Sequence, residues 1–222
     1  MLRTQAIGTF GAPVARQALP LREAIIHIID DDEGLCSGLD RLFRSVGYSA
    51  RAYSSVQAFL DAPDDDQPGC MVLDVRLPGM SGLDFQASLD ELGVRLPVIL
   101  MTGFGDIPMS VRAMKAGAVD FLAKPFRDQD MLDALARAVA RDTARRRIDA
   151  GESEIRELFK ALTPREREIM HLVVNGATNK EVADTIGLSI VTVKAHRGSL
   201  MRKMQVRTVP DLVRCGTVLG LT

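Results

Sequence analysis

The chain has 222 residues, with 46% apolar and 26% charged residues, 28 Lys and Arg against 29 Asp and Glu, and three cysteines. These proportions are those of ordinary globular domains and exclude collagen-like, disordered and disulfide-stapled chains. No apolar run approaches the ~18–20 residues that span a bilayer, residues 1–21 lack the apolar core of a secretory leader, and Cys36, Cys70 and Cys215 form no metal spacing, so the expectation is a cytosolic protein with buried thiols and no membrane contact.

The net charge of −1 conceals two opposite halves. Residues 1–21 carry +2, residues 22–126 carry −7 (16 acids, 9 bases), residues 127–157 carry −1 and residues 158–222 carry +5 (5 acids, 10 bases). An acidic front and a basic back predict two domains with different partners.

In chain order, Ile25 to Ile29 is a strand-length apolar run ending in Asp30-Asp31-Asp32. Tyr48 to Tyr53 is a weaker strand. Cys70 to Leu73 ends in Asp74, Val98 to Met101 ends in Thr102-Gly103, and Val119 to Ala123 ends in Lys124-Pro125. Helical patterns follow each run. Ser54-x-x-Gln57 reads as a capping box, Ser81 as a helix N-cap and Gly117 as a helix C-terminal glycine. Apolar strands alternating with helices predict a five-stranded parallel sheet with helices on both faces, a flavodoxin-like doubly wound domain.

Such sheets bind ligands beyond the carboxyl ends of their strands. Those ends carry Asp30, Asp31, Asp74, Thr102 and Lys124. Two carboxylates ~4 Å apart repel by ~4 kcal/mol at an effective dielectric of ~20, so a cation is expected there. Carboxylates without His or Cys suit a hard ion such as Mg²⁺. A Lys and a Thr hydroxyl on the same rim suit a phosphoryl group, and Asp74 is a candidate nucleophile. A single strand-end acid is most often a cap or a solvated residue; four strand ends with complementary chemistry argue against that. A phosphatase-type site wants a second Asp two residues after the nucleophile, where Arg76 stands.

These residues carry a resemblance. Ile29-Asp30-Asp31, Leu73-Asp74-Val75-Arg76-Leu77-Pro78-Gly79-Met80-Ser81-Gly82, Thr102-Gly103 and Lys124-Pro125-Phe126 resemble the receiver domain of two-component response regulators over residues 24–126. The resemblance implies that Asp74 accepts phosphate from a sensor histidine kinase, without being an enzyme beyond its own phosphotransfer and slow dephosphorylation. It implies Mg²⁺ held by Asp30, Asp31, Asp74 and the Arg76 main-chain carbonyl, a phosphoryl contact from Thr102, an ion pair from Lys124, and a cis peptide before Pro125. Thr102 and Phe121 would form the switch, and the face made by residues 106–117, 119–123 and the helix from 128 would dimerise. Asp32 reads as a helix N-cap, and Phe104 as a side chain that controls water access to the phosphate.

Residues 127–157 read as the final receiver helix and a helical linker, with Met131, Leu132, Leu135, Ala138 and Val139 at helical spacing, Asp142 interrupting the stripe and Gly151 breaking the helix. Residues 158–222 predict an all-α bundle of four short helices. Thr163-Pro164-Arg165-Glu166 and Thr178-Asn179-Lys180-Glu181 are capping boxes, Ser189 is a cap, and Thr208 starts the fourth helix. Gly187-Leu188-Ser189 supplies a helix-turn-helix corner. At ~100° per residue, Val193, Leu200 and Met204 fall on one side of the third helix, with Arg197 lying toward that side, and Lys194, Ala195, Gly198, Ser199 and Arg202 on the other. That small, basic face suits a DNA major groove.

Leu162-Thr163-Pro164-Arg165-Glu166-Arg167-Glu168, Gly176-x-x-Asn179-Lys180-Glu181-Val182-Ala183 and Leu188-Ser189-x-x-Thr192-Val193-Lys194-x-His196 resemble a LuxR-type helix-turn-helix. This implies Lys194, Ala195 and Gly198 at bases, Arg202 on the same face, and Thr192, His196, Asn179 and Lys180 at phosphates. The whole chain is similar to response regulators of the NarL/FixJ group. The expectation is a transcriptional regulator that dimerises on phosphorylation, binds promoter DNA and contacts RNA polymerase, with residues 1–23 as an extension.

Overall fold

The computed structural model describes residues 24–63, 66–103 and 107–222. The extension 1–23 and Phe104 lie outside the described residues. The chain divides into two compact units, one ending at Thr143 and one spanning Ala144–Thr222.

The first unit alternates β1 (Ile25–Ile29), α1 (Glu33–Ser45), β2 (Ser49–Tyr53), α2 (Val56–Leu60), β3 (Gly69–Asp74), α3 (Gly82–Ser88), β4 (Val98–Thr102), α4 (Ile107–Lys115), β5 (Asp120–Ala123) and the start of α5 (Asp128–Lys160). All strand pairs are parallel, in the order β2-β1-β3-β4-β5. β1, β3 and β4 are buried along their whole length, as apolar runs in a covered parallel sheet should be. The two-residue side-chain period sorts them. Ile26, Ile28, Cys70, Val72, Ile99 and Met101 pack with Leu39 and Phe43 of α1 and Leu135 and Val139 of α5. Ile29, Met71, Leu73 and Leu100 pack with Val56 of α2, Phe85 of α3, Leu89 just past it, and Ala113 of α4. Each buried Ile or Leu contributes roughly 1.5–3 kcal/mol. Strand order reverses between β1 and β3, so the ends of these two strands open a cleft.

Asp32 caps α1, accepting from Leu35 N at 3.0 Å. The cap of α2 is Ser55, one residue later than the Ser54-x-x-Gln57 box predicted: its hydroxyl accepts from Ala58 N at 3.2 Å. Both serines offer the same hydroxyl, and the structure uses Ser55.

Two expectations about residues 127–157 are corrected. The helix does not break at Gly151: α5 continues to Lys160. Glycine costs a helix about 1 kcal/mol, and i,i+4 pairs on either side, Arg145–Asp149 and Glu152–Arg156 at 2.9 Å each, offset part of it. Nor does Asp142 merely interrupt a stripe. It is fully buried, and its carboxylate accepts from the Gly69 N–H at 3.0 Å. A Cβ at Gly69 would lie 2.1 Å from the Ile25 carbonyl oxygen, so only glycine brings this strand start so near β1. The unit boundary therefore falls inside the predicted linker, after Thr143.

The second unit holds the end of α5, α6 (Pro164–Val174), α7 (Asn179–Ile186), α8 (Ile190–Lys203) and α9 (Val209–Val218). Capping boxes at Thr163, Thr178 and Thr208, and Ser189 accepting from Thr192 N, set all four starts. Gly187 ends α7 at φ +67°, a left-handed conformation that glycine adopts without strain. Ile169, Met170, Val173, Val182, Val193, Leu200, Met204 and Leu212 form the core, with Ile155, Leu158 and Phe159 of α5 packed on it.

Candidate phosphoryl-acceptor cleft and DNA-reading helix

Asp30 leaves the end of β1 and Asp74 ends β3, beside each other across the reversal. Asp74 is 5% exposed and Asp30 2%, while Asp31 is exposed. Lys124, just past β5, donates to Asp30 Oδ2 at 2.6 Å and pairs with Asp74 Oδ1 at 3.0 Å. The Lys124 N–H bonds the Thr102 carbonyl at 2.7 Å, tying the ends of β4 and β5 together. Asp74 Oδ2 accepts from Arg76 N at 3.1 Å, and Asp30 Oδ1 from Asp32 N at 2.9 Å. The Lys124–Pro125 peptide is cis. Thr102 is fully buried at the end of β4, and half-buried Phe121 of β5 packs on the cluster beneath α3 and α4.

Burial pushes the Asp74 carboxyl above its ordinary value; Lys124 and the Arg76 N–H oppose this and Asp30 adds to it. Burial works against the Lys124 ammonium, but its bonds to Asp30 and Asp74 outweigh it and hold the group firmly charged. Asp30, Asp31 and Asp74 each bring a carboxylate oxygen within 4.8 Å of the others. Three oxygen donors, two buried and one open to water, fit a hard divalent cation that keeps part of its hydration shell.

Gly82 shapes this cleft without contributing a side chain, which the sequence reading did not single out. A Cβ there would sit 2.1 Å from the Asp74 carbonyl oxygen. The Gly82 N–H bonds Val75 O at 3.0 Å, so α3 starts directly against the end of β3. Beside Lys124, a cleft of about 580 Å³ is lined by Leu35, Leu39, Leu42, Pro125 and Phe126.

The cysteines are buried free thiols, as expected. Burial pushes Cys36 up to about 11, with nearby Asp30 adding to it, and drives Cys70 up further; neither is a poised nucleophile.

On α8, Lys194, Ala195, Gly198 and Arg202 are exposed on one face, while Thr192 and His196 are half-buried. Lys180 of α7 is exposed. Asn179 is half-buried and its Oδ1 accepts from Arg197, so Arg197 ties α8 to α7. Ser199 does not share the open face. It donates to Glu166 Oε1 at 2.8 Å, and Lys203 to Glu166 Oε2 at 2.7 Å. Glu166 is 3% exposed and also accepts from Thr163 N at 2.8 Å. The capping-box signal found Glu166; that the same carboxylate holds α8 was invisible without the fold. Nor is the outer face free of apolar groups: Val191 is 77% exposed and Ile190 43%.

An acidic cleft at the strand ends of a doubly wound sheet, and a helix-turn-helix bundle with a basic outer helix face, define a phosphoryl receiver joined to a DNA-binding domain. The response regulator receiver domain family matches residues 26–136, and the luxR family of bacterial regulatory proteins matches residues 160–215. Nodulation protein W of Bradyrhizobium diazoefficiens is 48% identical over 200 residues, 90% of this chain and 88% of its own length. The response regulator TodT of Pseudomonas putida is 44% identical over 193 residues, covering 87% and 85%. The transcriptional regulatory protein FixJ of Azorhizobium caulinodans is 39% identical over 196 residues, covering 88% and 93%. The solved structure of the response regulator StyR superposes with a TM-score of 0.78 at 38% identity, covering 88% of this chain and 98% of that one.

The chain belongs to the two-component response regulators of the NarL/FixJ type. It is a transcriptional regulator with a receiver domain and a LuxR-type DNA-binding domain, and its class works with a histidine kinase and with DNA. Among the described residues, no helix is long and apolar enough to cross a membrane.

Proposed function

We propose that Asp74 is the phosphoacceptor and that its phosphorylation turns a cytoplasmic DNA-binding regulator on. The observation that carries this is the triangle of Asp30, Asp74 and Lys124, with Nζ–O distances of 2.6 and 3.0 Å. An Asp74 oxygen attacks the phosphorus of a phosphohistidine on the kinase; the P–N bond breaks and the imidazole nitrogen takes a proton. The cleft beside Lys124, lined by apolar side chains together with Asp32, Lys124 and Asp128, supports a partner seated at that edge. Asp30, Asp31, Asp74 and the Arg76 main-chain carbonyl would hold Mg²⁺, which when bound offsets the charge of the carboxylates and the phosphoryl oxygens. Lys124 gives up Asp74 and pairs with the phosphoryl group as a point charge. Thr102 bonds a second phosphoryl oxygen, and Phe121 turns inward behind it. Apart from this transfer and slow loss of the phosphate, no turnover is proposed.

Ile107, Val111 and Met114 are 80, 46 and 49% exposed at i, i+4 and i+7 on α4. This apolar stripe supports a receiver dimer formed on phosphorylation. A shift from mostly inactive to mostly active needs a preference of ~5.5 kcal/mol, to which dimerisation and DNA both contribute. Lys194, Ala195 and Gly198 face bases, joined on that face by Arg202; Thr192, His196, Asn179 and Lys180 lie toward phosphates; half-sites lie ~10 bp apart. Bound at a promoter, the protein contacts RNA polymerase.

Mass measurement and DNA binding with and without beryllofluoride and Mg²⁺ test this. The wild type should dimerise and gain affinity, and Asp74→Asn should do neither. An Asp74→Asn protein that still accepts phosphate and dimerises overturns the assignment.

A further inference from the structure

We infer that Val191 reads the 5-methyl group of a thymine and so sets part of the DNA sequence preference. This rests on the proposed seating of α8 in the major groove. Val191 is 77% exposed in the first turn of α8. It has no place in the apolar cluster formed by Val193, Leu200 and Met204 on the other side of the helix. Nothing in the domain rewards a valine there: β-branched residues are mediocre helix formers, and a first turn favours acids.

The spacing supplies a reason. Val191 stands three, four, seven and eleven residues before Lys194, Ala195, Gly198 and Arg202, all exposed. It therefore extends that stripe by one turn toward the helix N-terminus, the part of a recognition helix that meets base edges. The turn is well held: Ser189 Oγ accepts from Thr192 N at 3.1 Å, and the two hydroxyls lie 2.8 Å apart. Along the stripe Lys194 and Arg202 carry charge and Ala195 and Gly198 are small, so Val191 is its large apolar member. In the major groove the apolar feature a base pair offers is the thymine methyl.

The test selects a duplex from a random library with the full-length protein under beryllofluoride and Mg²⁺. Each thymine is then replaced singly by deoxyuridine, and affinity is read by fluorescence anisotropy. At one thymine per half-site the wild type should lose about fourfold, the loss of one buried methyl. Val191→Ala, changing an exposed side chain, should melt with the wild type, bind the thymine duplex about sixteenfold more weakly because both half-sites lose the contact, and lose nothing further with deoxyuridine. A variant that keeps the wild-type thymine preference overturns the inference, as does a wild type indifferent to every thymine. A variant that binds and discriminates normally but fails to activate transcription overturns it too, in favour of a protein contact. A wild type that selects no duplex overturns instead the DNA-reading role of α8.

Discussion

Replacing Glu166 tests whether one carboxylate of α6 holds α8 in place. Glu166 accepts from Thr163 N at 2.8 Å, Ser199 Oγ at 2.8 Å and Lys203 Nζ at 2.7 Å. Glu166→Ala removes all three. A cap bond contributes ~1 kcal/mol, and the bond from the Ser199 hydroxyl to the carboxylate, part-buried and partly screened, ~1 kcal/mol. The Lys203 side chain is 38% exposed, so its charged bond is discounted to ~1 kcal/mol. The expected loss is about 3 kcal/mol in the second unit, or ~12–24 °C in melting temperature for a domain of this size. Glu166→Gln keeps one acceptor oxygen, which can serve Thr163 N, and its amide N–H can donate to the Ser199 hydroxyl in place of accepting from it, so the main loss is the charge and about 1 kcal/mol is expected.

Acid separates the wild type from both variants, which lack the titrating carboxyl. Burial opposes the charge of Glu166, but hydrogen bonds from Lys203, Thr163 and Ser199 outweigh it and hold the carboxyl at about 2 instead of 4.5. A depressed carboxyl stabilises fully above its unfolded value, and this contribution fades as pH falls from about 4.5 to about 2. Unfolding of the full chain followed at pH 7 and pH 3 should show an acid loss in the wild type that is smaller in Glu166→Gln. Melting of Glu166→Ala within 3 °C of the wild type, or an unchanged acid loss in Glu166→Gln, would refute the reasoning.

Three further outcomes are expected. Gly198→Ala should raise the stability of the second unit by about 1 kcal/mol, since a Cβ there meets no atom within 4 Å, yet weaken DNA binding at a closely approached base; equal affinity with higher stability would remove Gly198 from the interface. Asp142→Ala should cost the first unit about 1–3 kcal/mol by leaving the Gly69 N–H without this carboxylate; calorimetry of the full chain showing an unshifted receiver transition would count against it. Lys180→Ala should lower the slope of log affinity against log salt by about 2 for the dimer, about 1 per protomer, with no change in preferred sequence, and an altered consensus would place Lys180 at a base.

The cleft was legible because its chemistry lies in short segments at strand ends. Apolar runs ending in Asp30, Asp74, Thr102 and Lys124 state both the sheet and its ligand edge, and a parallel topology must bring adjacent ends together. The helix starts of the second unit were legible for a similar local reason: a capping box spans four residues, so Thr163, Thr178 and Thr208 announce themselves. Gly151 misled because helix propensity is a weak local term, offset in part by flanking ion pairs, and Ser54 because its neighbour Ser55 offers the same capping hydroxyl.

By itself, then, the sequence determined which elements form, which residue types meet at the acidic edge, and the split of a charge of −1 into an acidic receiver and a basic DNA-reading domain. Periodicity, caps and strand-end residues all act over a few positions and need no partner to be read. The tertiary structure decided what depends on atoms brought together from distant positions: the buried hold of Asp142 on Gly69 and the grip of Glu166 on Ser199 and Lys203. These are contacts at the range of a hydrogen bond or a van der Waals radius, and no pattern along the chain encodes them.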